Sequence, residues 1–279
     1  MGPVGNSPAL TEEEFTMLVD PKTGRRRRNK VDPEESYEER TLLYGECDLD
    51  LAPGNLDFQR WVQTWEIGGV DDTYEKESVH RVHEVLPEVK EKCNMDIQRL
   101  DDSKVFVAGI TTSLITDLNF RVGNPKSAEE DDHIGATTLR LKNVGIRNGK
   151  VTFKYIGKSG VEHKRITDDP RTVMAVQHLR KGKKKEDYLL KYAGKGDQYY
   201  RISDEDIRDY LLEFDITPKD IRTHNANQRF IEKWNESGST SDSTKAAAAE
   251  LQHTPSVCRR NYIDDLLLSD LRKVEKGGG

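Results

Sequence analysis

The chain has 279 residues, with 34% hydrophobic and 34% charged residues, a balance that suits a soluble protein with modest cores in one large or two smaller domains. No apolar run is long enough to span a bilayer and no basic–apolar–small signal stands at the N-terminus, so no membrane span is expected. Cys47, Cys93 and Cys258 lie far apart, a pattern that argues against a disulfide framework or a zinc site and for a reducing compartment.

The net charge of −6 conceals a division along the chain. Residues 1–136 carry 16 Lys+Arg against 29 Asp+Glu, residues 137–236 carry 22 against 15, and the remainder carries 6 against 6. An acidic front followed by a basic middle points to a polyanionic partner for the middle. Residues 1–40 read as a flexible segment. Its run Arg25 to Arg28 with Lys30 fits either a DNA-gripping or localisation arm or a solvated tail. Residues 41–75 hold short apolar pieces broken by Pro53-Gly54 and Gly68-Gly69, and read as a small, strand-poor N-terminal module.

From Glu77 to Cys93 the spacing of Val79, Val82, Val85, Leu86 and Val89 predicts a helix. His80 and His83 lie on it, and without a third ligand they read as surface residues rather than a metal site. Residues 101–119 predict an apolar core helix, which ends before Gly123-Asn124-Pro125 and leaves Arg121 beside a turn. An acidic loop follows over 126–134. The period then changes to that of strands over Thr137–Leu141, Lys150–Ile156 and Val161–Ile166. Asn148-Gly149 predicts a tight hairpin turn, and Gly157 to Gly160 a second one with Lys158 at its tip.

The rest predicts helices: Arg171–Leu179, one beginning at Ser203 with Asp206, and one beginning at Thr217-Pro218 and running through Trp234. A polar linker is expected over Ser237–Ser243, then a short helix over Ala246–Leu251. Thr254-Pro255 starts another helix, with His253 at its mouth and Tyr262 nine residues on; Arg259 and Arg260 charge the same segment. A tyrosine phenol titrates near pH ~10 and becomes a useful nucleophile only when cations stabilise the charge that develops on it and its target. A phosphodiester is the natural target. Taken alone, the His253–Tyr262 stretch reads more readily as a helix cap and a packed aromatic.

Five segments raise it above that reading: FRVGNP, GATTLR, KYIGKSGVEH, PKDIRT and HTPSVCRRNY. Their order and spacing over roughly residues 100–265 resemble the type IB DNA topoisomerases, in particular the compact poxvirus and bacterial group. The resemblance implies an α+β, mainly helical catalytic domain with a small three-stranded antiparallel sheet. The expected division is a flexible 1–40, a small module at 41–75, a catalytic domain at 76–275 and a tail at 276–279. It implies Arg121, Lys158, Arg222, His253 and Tyr262 as catalytic residues. Thr138, Arg140, Lys142, Lys219, Arg259 and Arg260 are implied as DNA contacts, and no metal or other cofactor is expected. Lys142, Arg147, Lys150, Lys154, Lys164, Arg165 and the 180–185 loop are expected to hold DNA backbone.

Duplex DNA is the implied partner, a monomer the expected state, and the cytoplasm, nucleoid or virion the expected place. The β-rich clamp of such relatives finds little match in residues 1–99. The rival readings are a tyrosine recombinase or integrase and a non-catalytic DNA-binding module. Recombinases usually carry a histidine three residues before the second arginine, where this chain has Lys219.

Overall fold

Local chemistry decides where most helices begin. The computed structural model describes residues 49–67, 74–130, 133–157, 160–196 and 198–277; the expected arginine run at 25–28 lies outside them. Helix α1 spans Phe58–Ile67 and α2 spans Tyr74–Ile97, longer at both ends than the apolar spacing marked. Helix α3, Lys104–Leu118, starts where the Ser103 hydroxyl accepts the Phe106 N–H at 3.2 Å. It ends at Asn119, which turns left-handed with φ 54°. A short α4, Pro125–Glu130, occupies part of the expected acidic loop.

Strands β1 (Val144–Arg147), β2 (Lys150–Ile156) and β3 (Glu162–Thr167) form an antiparallel sheet in chain order. Asn148 and Gly149 connect β1 to β2 with φ of 51° and 71°, as a two-residue hairpin needs. Helix α5 is Pro170–Leu179. Strands β4 (Lys191–Ala193) and β5 (Tyr199–Arg201) make a small hairpin. Helices α6 (Asp204–Leu211) and α7 (Pro218–Ser237) both start with reciprocal capping, Ser203 with Asp206 and Thr217 with Asp220. Helices α8 (Thr240–Leu251), α9 (Pro255–Asn261) and α10 (Asp265–Gly277) complete the described chain.

The expected fold class is the observed one: mainly helical, with a three-stranded antiparallel sheet. Several local expectations are corrected. Thr137–Leu141 is not a strand. Ala136–Thr138 and Leu141–Asn143 are single 3-10 turns, and Arg140 between them makes an isolated bridge to Tyr188. The sheet's first strand is Val144–Arg147, whose short pattern is interrupted by Gly145. The β4–β5 hairpin falls where only helix was expected. The polar linker over Ser237–Ser243 shrinks to Gly238 and Ser239: Gly238 closes α7 with φ 61°, and the Ser239 hydroxyl accepts the Asp242 N–H to open α8.

Two apolar clusters hold these elements. The first joins Val82, Val89 and Ile97 of α2 to Phe106, Ile110 and Leu114 of α3, Val151 and Phe153 of β2, and Val173 and Val176 of α5. The second joins Phe230 and Trp234 of α7 to Leu251, Cys258, Tyr262, Leu267 and Leu271, and takes in Leu56, Trp61 and Val62. The described part of the expected N-terminal module therefore packs into the C-terminal helices. Asn235 of α7 receives the Leu56 N–H at 3.1 Å and returns a bond to its carbonyl at 2.7 Å. Helix α7 contributes to both clusters, through Ile221 to the first and Phe230 to the second. No helix of the described residues is long and apolar enough to cross a membrane.

Candidate active site

Arg121 leaves α3 on a chain segment held by its own backbone. Its carbonyl accepts the Ala136 N–H and that of Val122 accepts the Thr137 N–H, both at 2.8 Å. The two segments cross at glycines: a side chain on Gly135 would run into the backbone of Gly123, which itself has φ 98°. Arg222 projects from the first turns of α7, just past the Thr217 cap. His253 sits in the turn between α8 and α9, after Gln252 has ended α8 left-handed with φ 53°. Tyr262 caps the C-terminus of α9, its N–H bonded to the Cys258 carbonyl at 2.9 Å. Thus helix ends, not helix middles, present three of the four groups.

These four side chains meet. Arg121 Nη2 lies 3.1 Å from His253 Nε2, and Arg222 Nη2 lies 2.9 Å from the same nitrogen. The His253 and Tyr262 rings stack with centroids 5.3 Å apart and planes at 28°. The Arg222 guanidinium lies 5.6 Å over the Tyr262 ring. Arg222 Nη1 donates to the Asn119 carbonyl. Burial, with both guanidinium groups beside it, pushes the His253 pKa down to about 3. The imidazole is therefore neutral at pH 7, and the guanidinium donors assign its proton to Nδ1 and its lone pair to Nε2. Burial also lowers the pKa of Arg121, though guanidinium remains charged at any ordinary pH. Nε of Arg121 and Nε of Arg222 are buried and find no hydrogen-bond partner among the described residues. Two cations sharing one neutral acceptor, each with a donor unused, make a site built for an anion.

Lys158 lies outside the described residues. The hairpin that bears it is described on both sides: Gly157 N–H donates to the Val161 carbonyl at 2.8 Å, and Ile156 pairs with Glu162. A side chain on Gly157 would strike the His163 ring. That ring stacks on Tyr155 at 5.0 Å, and Tyr155 stacks on Phe120 at 5.2 Å. Burial, with Arg165, Arg222 and Arg121 nearby, brings the His163 pKa to about 4.

The expected DNA contacts divide by exposure. Lys142, Lys219, Arg259 and Arg260 are exposed, while Arg140 is half-buried, 4.4 Å over the Tyr188 ring with Nη1 on the Glu186 carbonyl at 2.7 Å. Thr138 is buried, and its hydroxyl accepts the Gly135 N–H at 2.9 Å, which shapes the loop beside Arg121. Arg165 is buried as well. Strand alternation turns His163 and Arg165 inward and leaves Lys164 outward, and Arg165 Nη1 donates to the Glu250 carbonyl at 2.7 Å. Lys154 and Lys164 pair directly across β2 and β3, both on the outer face.

His83, expected on the surface, is half-buried with Nδ1 3.3 Å from His224 Nε2, where α2 packs on α7. Among the described residues no group of three His, Cys, Asp or Glu could hold a metal. Residue-by-residue reading missed Asn119, Asn225 and Asn227. Asn227 donates to the Tyr262 carbonyl at 2.7 Å and accepts the Asp264 N–H at 3.1 Å, pinning the turn after the tyrosine to α7. A buried asparagine amid apolar helix positions is the signal that marks it.

Comparison with known proteins matches residues 67–259 to the family described as eukaryotic DNA topoisomerase I, catalytic core. The DNA topoisomerase 1 of Rabbit fibroma virus (strain Kasza) is 25% identical over 202 residues, covering 68% of this chain and 62% of the relative. The DNA topoisomerase 1B of Acanthamoeba polyphaga mimivirus is 24% identical over 210 residues, with the same coverage of 68% and 62%. DNA topoisomerase 1 beta of Arabidopsis thaliana is 26% identical over 163 residues, covering 57% of this chain and 17% of the plant protein. The matched region spans about three-fifths of the length of the two viral relatives.

Proposed function

This chain belongs to the type IB DNA topoisomerases, the family of the eukaryotic DNA topoisomerase I catalytic core, and on that premise we propose that it relaxes supercoiled duplex DNA without ATP or metal. Tyr262 gives up its phenol proton to solvent as it attacks a backbone phosphorus, and the phosphorus–O5′ bond breaks as the tyrosyl–phosphorus bond forms. Arg121 and Arg222 turn their planar donors from His253 to the nonbridging oxygens, which carry extra charge in the five-coordinate state. His253 adds a neutral N–H, and Lys158 gives the leaving O5′ its proton. The product is a 3′-phosphotyrosyl bond and a free 5′-hydroxyl. The ester keeps the energy of the bond it replaced, so reversal reseals the strand after the duplex has swivelled.

The observation that carries this reading is the convergence of both guanidinium groups on His253 Nε2, at 3.1 and 2.9 Å, with the Tyr262 ring stacked on the same imidazole. The test is a supercoiled plasmid incubated with the protein in EDTA and no nucleotide. Relaxed topoisomers are expected. Relaxation that needs ATP or Mg²⁺, or strand exchange between two defined sites, would overturn the reading; the second result would favour a recombinase.

The outer face of the sheet supports the substrate. Like charges directly opposite across two strands cost stability unless a partner neutralises them, and Lys154 faces Lys164 in that way. Lys154→Ala is expected to leave the melting temperature unchanged or slightly raised. It should weaken DNA binding and lower the slope of log affinity against log salt by about one. An unchanged slope removes this face from the DNA path. We propose a monomer acting on DNA inside the cell or virion.

A further inference from the structure

The four converging groups come from three separately packed pieces of chain, and one residue touches all three. Asn119 is buried, left-handed with φ 54°, and two positions before Arg121. Its carbonyl accepts Arg222 Nη1. Its side-chain Oδ1 accepts Asn225 Nδ2 of α7 at 2.8 Å, and its Nδ2 donates to Glu250 Oε1 of α8 at 2.8 Å. The amide orientation is forced, because a carboxylate only accepts and the Asn225 amide nitrogen only donates. Glu250 is the penultimate residue of α8, and the chain reaches His253 three positions later. Its backbone carbonyl is held in turn by Arg165 at 2.7 Å, and Gln252 donates to the Lys164 carbonyl at 2.8 Å.

We propose that Asn119 is a positioning residue that sets the Arg222 helix and the His253 turn against the Arg121 segment. Three properties are needed at one position: tolerance of the left-handed backbone, one side-chain acceptor facing α7 and one donor facing α8. Asparagine supplies all three. Glycine keeps only the first, and aspartate loses the donor and sets a second carboxylate against Glu250. The inference rests on the reading of Arg222 and His253 as phosphate donors.

The design of the bridge allows a compensating exchange. In Asn119→Asp the contact with Glu250 is repulsive. In Asn119→Asp with Glu250→Gln the glutamine amide donates to the new carboxylate while Asn225 still donates to its other oxygen. Single-turnover DNA cleavage at saturating DNA, equilibrium DNA affinity and the His253 ring resonances of the free protein are measured for each. Misplacement of about 1 Å costs up to about 10²-fold in rate. The single variant is accordingly expected to cleave about 10- to 100-fold more slowly with affinity within about threefold, and the double variant to regain most of that loss.

An unchanged rate in the single variant, or a double variant no faster than the single, overturns the proposal. If the single variant fails to fold, Asn119→Gly keeps the left-handed backbone and removes only the bridge, with the same slowing expected and an unchanged rate overturning the role. If the unsubstituted protein forms no covalent DNA adduct, the topoisomerase reading fails by itself. The His253 resonances then decide: displacement in the single variant and return in the double uphold the positioning role, and no displacement overturns it.

Discussion

Tyr262→Phe is expected to abolish covalent DNA adducts and plasmid relaxation while leaving the fold and DNA affinity nearly intact. Tyr262 is buried in the second apolar cluster, and its ring stacks on His253 at 5.3 Å. Phenylalanine keeps that ring and its packing and removes only the oxygen. Alanine would be a poor probe, because emptying a buried aromatic site costs about 3–5 kcal/mol and would confuse folding with chemistry. The nucleophile has no partial substitute: without it no tyrosyl ester forms, and the remaining donors face a phosphate with nothing to attack it. Gel-shifted covalent complex after denaturation reports the result directly. Adduct at wild-type level in the phenylalanine variant would give the nucleophile to another residue.

The second large effect is expected at Arg222. Its guanidinium spans two jobs, with Nη1 on the Asn119 carbonyl and Nη2 on His253 at 2.9 Å. Removal of one preorganised donor from a site of this kind costs about 10²–10³ in rate, or about 2.7–4 kcal/mol. Arg222→Ala should therefore slow single-turnover cleavage by that factor. It also leaves the buried Asn119 carbonyl without its donor, a loss of about 1–3 kcal/mol in stability, so melting is measured alongside.

Arg222→Lys separates the two effects. The lysine keeps the charge but is a single point that cannot occupy both the Asn119 and His253 positions, so it should recover less than about a tenth of the lost rate. Cleavage by Arg222→Ala within about threefold of wild type, at saturating DNA, would remove Arg222 from the phosphate site.

Much of the local structure was legible in residue order. Ser203, Thr217 and Thr254 each cap a helix where the pattern placed a start, because a hydroxyl that accepts a free N–H acts within three residues. Asn148-Gly149 specifies its hairpin for a similar reason. The chain was misleading where partners lie far away. Thr137–Leu141 alternates like a strand, yet its backbone bonds go to Val122, Asp187 and Leu189, and its pairing stops at the single bridge from Arg140 to Tyr188. The Ser237–Ser243 stretch has the composition of a linker. Ser239, however, caps α8, and the Thr240 and Ser243 side chains bury themselves against neighbouring elements and backbone.

The sequence by itself determined the capped starts of α6, α7 and α9, the β1–β2 hairpin and the family, since capping, turn and motif chemistry are short-range or carried by residue identity. Tertiary structure alone decided which polar side chains face inward. Arg165 and Lys164 are adjacent and equally basic, but only the sheet's packing buries the first on the Glu250 carbonyl and exposes the second. It alone decided, too, that Asn119, Asn225 and Glu250 meet. A hydrogen bond between residues 131 positions apart depends on how three helices pack, and no local pattern encodes that geometry.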